Sequence, residues 1–206
     1  MKLFKYSFFF LVIVLFSACA TLKMQVAENQ EIDFKKDTSK IVHSFYLIGD
    51  AGNSTLTEDS PALIYLKKKI KGASKKSTLL FLGDNVYEKG IPKKKSDDYP
   101  LAKRRIKAQT KVAKKFNGKS IFIPGNHDWY NGLEGLKREE ELVKKALGNN
   151  SFFPQGGCPL TKVEISKKIV LIIIDTHWYL TNWKKHPTIN DNCEIKTREK
   201  FFDEFE

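Results

Sequence analysis

Four short apolar runs, each stopping at a turn led by glycine, proline or aspartate, constrain the fold of this chain more than any other feature. Residues 41–48 end at Gly49-Asp50, residues 78–82 at Gly83-Asp84, residues 120–123 at Pro124-Gly125-Asn126, and residues 168–174 at Asp175. Short apolar runs bounded by turn residues and free of polar alternation read as strands buried on both faces. Helical patterns lie between them. Ser60-Pro61 supplies a cap and a first-turn proline ahead of Leu63, Leu66 and Ile70, with Ile64 beside that stripe. A second helix starts near Pro100 with Ala102, Ile106, Ala113 and Phe116 inward, and a third covers residues 134–147 with Leu136, Val143 and Leu147 inward. Residues 148–159 read as a loop, and residues 196–206 as the first turns of another helix. Alternating strands and helices predict a mainly parallel α/β sheet covered on both faces, with ligands bound beyond the carboxyl ends of its strands.

Three motifs stand at those ends, in the order Gly49-Asp50-Ala51-Gly52, Gly83-Asp84-Asn85-Val86-Tyr87 and Gly125-Asn126-His127-Asp128. Gly-Asp and Gly-Asn are good turn formers, so one such motif alone says little. All three in order, each after a strand, converge on one crevice. Short carboxylates on tight turns suit hard cations, Asn126 offers a neutral carbonyl oxygen, and Tyr87 can return to the site from three residues beyond Asp84. Two such cations about 3.5–4 Å apart clamp the attacking and leaving oxygens of a phosphoryl displacement. His127 is placed to act as general acid or charge stabiliser, and Asp128 to orient its imidazole. His177 reads as a loop or pocket-wall residue rather than a ligand, His186 as a surface residue, and His43 as a structural residue inside the first strand. Trp129 and Tyr130 either shape the pocket or pack.

Gly-Asp-x-Gly, Gly-Asp-Asn-x-Tyr and Gly-Asn-His-Asp in this order resemble the calcineurin-like metallophosphoesterases, and more narrowly the small purple acid phosphatases. Most of that superfamily carries Asp-x-His in the first motif, where this chain has Asp50-Ala51-Gly52. In the purple branch the histidine is absent and a tyrosine three residues after the bridging aspartate replaces it, the position of Tyr87. The resemblance implies a sheet sandwich flanked by helices (α/β/β/α). It also implies two metal ions, Fe(III) plus a divalent Fe, Zn or Mn, and a phosphate-ester substrate. Asp50, Asp84 and Tyr87 would ligate the first ion, Asp84 would bridge, Asn126 would ligate the second, and His127 would face the substrate. The family completes its site with three further histidines, one at a later strand end and two in a Gly-His-x-His turn, and nothing here matches them. Residues 41–206 are therefore expected to be the N-terminal part of the domain. A phosphodiesterase or nucleotide hydrolase of the same superfamily, or a non-catalytic lipoprotein that keeps the fold, stay open beside the phosphomonoesterase reading.

The first residues carry a separate message. Lys2 and Lys5 precede an apolar stretch over residues 8–16, then Ser17-Ala18-Cys19. That stretch is short of the roughly 20 residues a spanning helix needs. It resembles a bacterial lipoprotein signal, which implies cleavage after residue 18, lipidation of Cys19, a polar tether over residues 19–40 and a membrane-anchored place in the cell envelope. Cys158 and Cys193 are then an even pair in an oxidising compartment, and a disulfide between them is plausible. The net charge of +12 comes mostly from lysine runs such as Lys67-Lys68-Lys69, Lys93-Lys94-Lys95 and Lys103-Arg104-Arg105. These read as a solvated surface or an attraction for anionic substrates and membranes. No recognition motif accompanies them, which argues against nucleic acid as a partner.

Overall fold

The computed structural model describes residues 40–181 and 191–204. The signal segment, Cys19, the tether over residues 19–39 and His186 lie outside the described residues. Three parallel strands form the first sheet in the order β1 (Ser44–Ile48), β2 (Ser77–Phe81), β3 (Lys119–Phe122). Helix α1 (Pro61–Lys69) joins β1 to β2, and α2 (Tyr99–Ala113) joins β2 to β3. The side chain of Ser60 caps α1 by accepting from the Leu63 amide at 3.4 Å, and Leu63, Leu66 and Ile70 are buried as their spacing predicts. On α2, Ala102, Ile106 and Ala113 are buried, joined by Gln109 and Thr110. Helix α3 (Gly132–Leu147) starts two residues earlier than its pattern suggested and buries Leu136 and Val143.

These three helices cover one face of the sheet, where Leu79, Phe81 and Phe122 meet Leu63, Ile106, Val112 and Leu136. The Phe81 and Phe122 rings stack across the β2–β3 pair with centroids 4.0 Å apart. The other face is covered by a hairpin. Strand β4 (Leu160–Ser166) pairs antiparallel with β5 (Ile169–Ile174), and Val163 of β4 and Ile173 of β5 pack on Leu80 and Ile121. Two short helices follow, α4 (Thr176–Leu180) and α5 (Arg198–Asp203), joined by a small core of Trp178, Ile195 and Phe201. The described elements thus form a mixed α/β arrangement of a parallel sheet, a second sheet and flanking helices, as the fold class required.

Three expectations change. Only β2 is buried along its whole length; Phe45 and Leu47 of β1 and Val170 and Ile172 of β5 are exposed. The run over residues 169–174 is therefore not a further element of the parallel sheet but half of an antiparallel hairpin. His43 lies just before β1, not within it, and its Nε2 meets the Thr78 hydroxyl at 3.0 Å. The cysteine pair does form: Cys158 and Cys193 are bonded with their Cα atoms 5.5 Å apart, within the usual range for a disulfide. Among the described residues, no helix is long and apolar enough to cross a membrane.

Candidate metal centre and active site

Register brings the three motifs level. Ile48 pairs with Phe81, and Phe81 with Phe122, so the strand ends lie side by side and the residues just past them share one edge. Asp50 and Asp84 turn there with φ of 54° and 52°, and among the described residues they are the only non-glycine residues with positive φ. Aspartate tolerates the left-handed region better than most side chains, yet two such residues at adjacent strand ends mark a functional site more than a turn. The backbones interlock. The Asp50 amide donates to the Gly83 carbonyl at 3.2 Å, the Gly52 amide to the Asp84 carbonyl at 3.0 Å, and the Tyr87 amide to the Gly52 carbonyl at 3.2 Å. The approach is closest at Gly125, where a Cβ would stand 2.3 Å from Asp84 Oδ1 and 2.4 Å from its amide nitrogen.

The side chains then converge. The Tyr87 hydroxyl lies 2.5 Å from Asp50 Oδ1 and 3.0 Å from Asp84 Oδ2. Partial burial first, and then the two carboxylates that take its hydrogen bond, push the phenol above its ordinary pKa. Three oxygens crowded around one proton are a ligand set that a cation would relieve, so these residues fit a metal ion. Among the described residues, no group of three or more His, Cys, Asp and Glu side chains gathers for metal binding; the oxygen cluster here is made of two carboxylates and a phenol. Asn126 is exposed on the neighbouring loop, and its Nδ2 donates to the Tyr130 hydroxyl at 2.6 Å. That bond commits the amide nitrogen and leaves the carbonyl oxygen as the ligating atom.

His127 is fixed from two sides. Its amide donates to Asp84 Oδ1 at 3.2 Å, and its Nδ1 lies 2.5 Å from the Glu88 carbonyl. A carbonyl only accepts, so Nδ1 carries the proton and Nε2 is the nitrogen left for a substrate.

Asp128 makes its hydrogen bonds elsewhere than at that imidazole. The short 3-10 turn at His127–Trp129 swings it inward, where it is fully buried. Its carboxylate accepts from the amides of Gly125 (2.8 Å), Val86 (2.9 Å) and Asn85 (3.2 Å), tying the second motif to the third. Burial raises its pKa to about 6 against the lowering effect of those amides. Glu139 of α3, also fully buried, is pushed well above the usual carboxylate range by burial and then by the Asp128 charge.

Several contributors have no motif. The basic run at residues 103–105 is only partly surface: Arg104 pairs with Asp59 at 2.8 Å, while Arg105 donates to the Ser54 carbonyl at 3.0 Å and to the Tyr87 carbonyl. Asp175, at the end of β5, is buried and accepts from Trp129 Nε1 at 2.7 Å and from the His177 and Trp178 amides. It thereby caps α4 and places His177 beside Trp129, with ring centroids 5.8 Å apart.

The family model described as calcineurin-like phosphoesterase matches residues 43–205. No curated protein and no solved structure matches the chain. Members of the matched family generally use two metal ions, in keeping with an oxygen-rich cluster at the strand ends. The chain belongs to the calcineurin-like phosphoesterase family, whose domain is that of a hydrolase acting on phosphate esters.

Proposed function

We propose that this chain carries residues of a binuclear, acid-phosphatase-like site for phosphomonoesters, with Tyr87 on a ferric ion and a divalent ion beside it, in an envelope lipoprotein anchored through Cys19. The observation that carries the metal reading is the meeting of the Tyr87 hydroxyl with the Asp50 and Asp84 carboxylates at 2.5 and 3.0 Å. A phenolate favours a trivalent ion, and the sequence offers no histidine in the first motif to compete with it. Asp50, Asp84 and Tyr87 would hold the first ion and Asn126 the second. When bound, the ions would supply the Lewis acidity that polarises the phosphoryl oxygens and acidifies water.

The chain's own residues do the rest. Asp84 takes the His127 amide on one oxygen and the Tyr87 hydroxyl on the other, so ligand and histidine positions are set together. His127, held by Glu88 through Nδ1, presents Nε2 to accept a hydrogen bond, or to donate one to a phosphoryl or leaving-group oxygen once protonated. Asp128 acts from beneath by fixing the loop that carries Asn126 and His127.

The test is metal content with absorption spectroscopy, together with hydrolysis of 4-nitrophenyl phosphate against its bis-ester. Two ions per molecule, a visible band lost in Tyr87→Phe and faster monoester turnover support the proposal. A metal-loaded Tyr87→Phe with an unchanged spectrum removes the ferric tyrosinate, faster diester turnover replaces phosphatase with phosphodiesterase, and sub-stoichiometric metal leaves a non-catalytic lipoprotein. Asp84→Asn is expected to abolish turnover, and retained turnover there sinks the two-metal assignment. Lipidation is read from palmitate labelling, which Cys19→Ser must eliminate for the anchor to stand.

A further inference from the structure

Beyond His127 a line of rings leaves the cluster of Asp50, Asp84 and Tyr87. Tyr87 and His127 have centroids 4.5 Å apart, His127 and Tyr130 4.8 Å, and Tyr130 and His177 6.4 Å. Their planes are tilted by 56°, 50° and 67°, so neighbouring rings do not cover one another's faces as a stack would. Tyr130 is 52% exposed, a poor return for an aromatic ring whose purpose was packing. It is nonetheless held in place, because its hydroxyl accepts from Asn126 Nδ2 at 2.6 Å. His177 is half-buried, and its backbone is fixed, with the ring 5.8 Å from that of Trp129. The Asp175 carboxylate, itself buried, accepts its amide at 3.0 Å and takes Trp129 Nε1 at 2.7 Å from the other side. The exposed Tyr130 ring and the half-buried His177 ring thus extend the surface next to the histidine that would meet the phosphoryl group.

We propose that Tyr130 and His177 form a shelf for a planar aromatic leaving group, so that the site prefers aryl or base-bearing phosphate esters to aliphatic ones. The inference rests on the phosphoester site described above and adds its substrate class. Exposed aromatic faces bind planar groups by stacking and tolerate many ring chemistries. Burial lowers the His177 pKa, which keeps its imidazole neutral at pH 7, a ring to stack on and not a second cation to bind phosphate.

The experiment is calorimetric binding to the full-length, metal-loaded protein, which reads affinity without turnover. The probes are orthophosphate, methylphosphonate, phenylphosphonate and adenosine 5′-monophosphate. Either aromatic probe is expected to bind about tenfold tighter than methylphosphonate, and which of the two does so tells a directly attached ring from a sugar-linked one. His177→Ala and Tyr130→Leu should each bring that ratio towards one. Equal affinity of all three organic probes in the wild-type protein, with orthophosphate still bound, overturns the shelf and leaves the phosphoester site standing. A ratio unmoved in His177→Ala and in Tyr130→Leu also overturns it. Failure of the metal-loaded protein to bind orthophosphate overturns both readings together.

Discussion

Gly49 and Gly125 look alike in sequence, since each follows a strand and precedes a candidate ligand, but the structure separates them. An alanine Cβ at residue 49 would meet nothing within 4 Å. At residue 125 it would lie 2.3 Å from Asp84 Oδ1, 2.4 Å from Asp84 N and 3.1 Å from Asp84 Cγ. Non-bonded carbon and oxygen atoms sit near 3.5 Å, so Gly125→Ala must open this contact by about 1 Å. Rotating the carboxylate relieves one oxygen but not the amide nitrogen. The Asp84 backbone is itself held, its carbonyl accepting the Gly52 amide at 3.0 Å. Overpacking of this kind costs about 1–3 kcal/mol. A displacement of about 1 Å at a ligand costs on the order of a hundredfold in rate and comparably in ion affinity. Gly49→Ala should change stability by less than about 0.5 kcal/mol. Urea denaturation of the metal-free proteins gives the first quantity, and calorimetric titration with a divalent ion gives the second. If the two variants match in stability and in ion affinity, the interlock of the second and third motifs is not what shapes the site.

Three further outcomes follow from contacts described above. Removing the disulfide with the double substitution Cys158→Ala and Cys193→Ala should cost about 4 kcal/mol, because the bond closes a loop of 35 residues; a loss under about 1 kcal/mol in urea would refute that. Asp128→Ala leaves the Gly125, Val86 and Asn85 amides without their acceptor and should cost about 3 kcal/mol, less whatever is regained by removing a buried charge. Unchanged stability with lost turnover would instead return Asp128 to the imidazole. Burial raises Asp175 from 3.8 to about 7, so the folded protein holds this proton more tightly than the unfolded chain. Its contribution is present below about pH 4 and is lost as the pH rises through about 7, a change of up to about 4 kcal/mol. The urea stability of Asp175→Asn relative to wild type should improve across that window, and a pH-independent difference would exclude the ionisation.

Strands β1, β2, β3 and β5 could be read from their apolar runs, and α1 to α3 from their spacing, because each is organised by a local pattern that the core then accepts. Strand β4 escaped because Leu160-Thr161-Lys162-Val163-Glu164-Ile165-Ser166 buries only one face and pairs through an irregularity between Glu164 and Ser166. Its alternation of Val163 and Ile165 with charged neighbours was the available signal. The site followed the same division. Asp50, Asp84 and Tyr87 converge as the motifs require, since turn chemistry and strand order place them. What Asp128 touches depends on a single 3-10 turn that adjacency in sequence cannot reveal. The Trp129–Asp175 and Asn126–Tyr130 bonds join side chains of ordinary types, so no composition or spacing marks them.

The left-handed aspartates set this protein's folding against its chemistry. Holding a non-glycine residue in that region costs about 1–2 kcal/mol, and Asp50 and Asp84 do so side by side with like charge. Glycine at either place would remove the strain while discarding a candidate ligand and the hydrogen bonds its carboxylate accepts. A population of variants selected for folding alone, with chelator present, should therefore drift towards Asp50→Gly and Asp84→Gly and gain thermal stability as it goes. Under the proposed function, retention of both aspartates has to be maintained by the reaction proposed for them, which makes that pair the first casualty to look for in descendants that keep the fold and abandon catalysis.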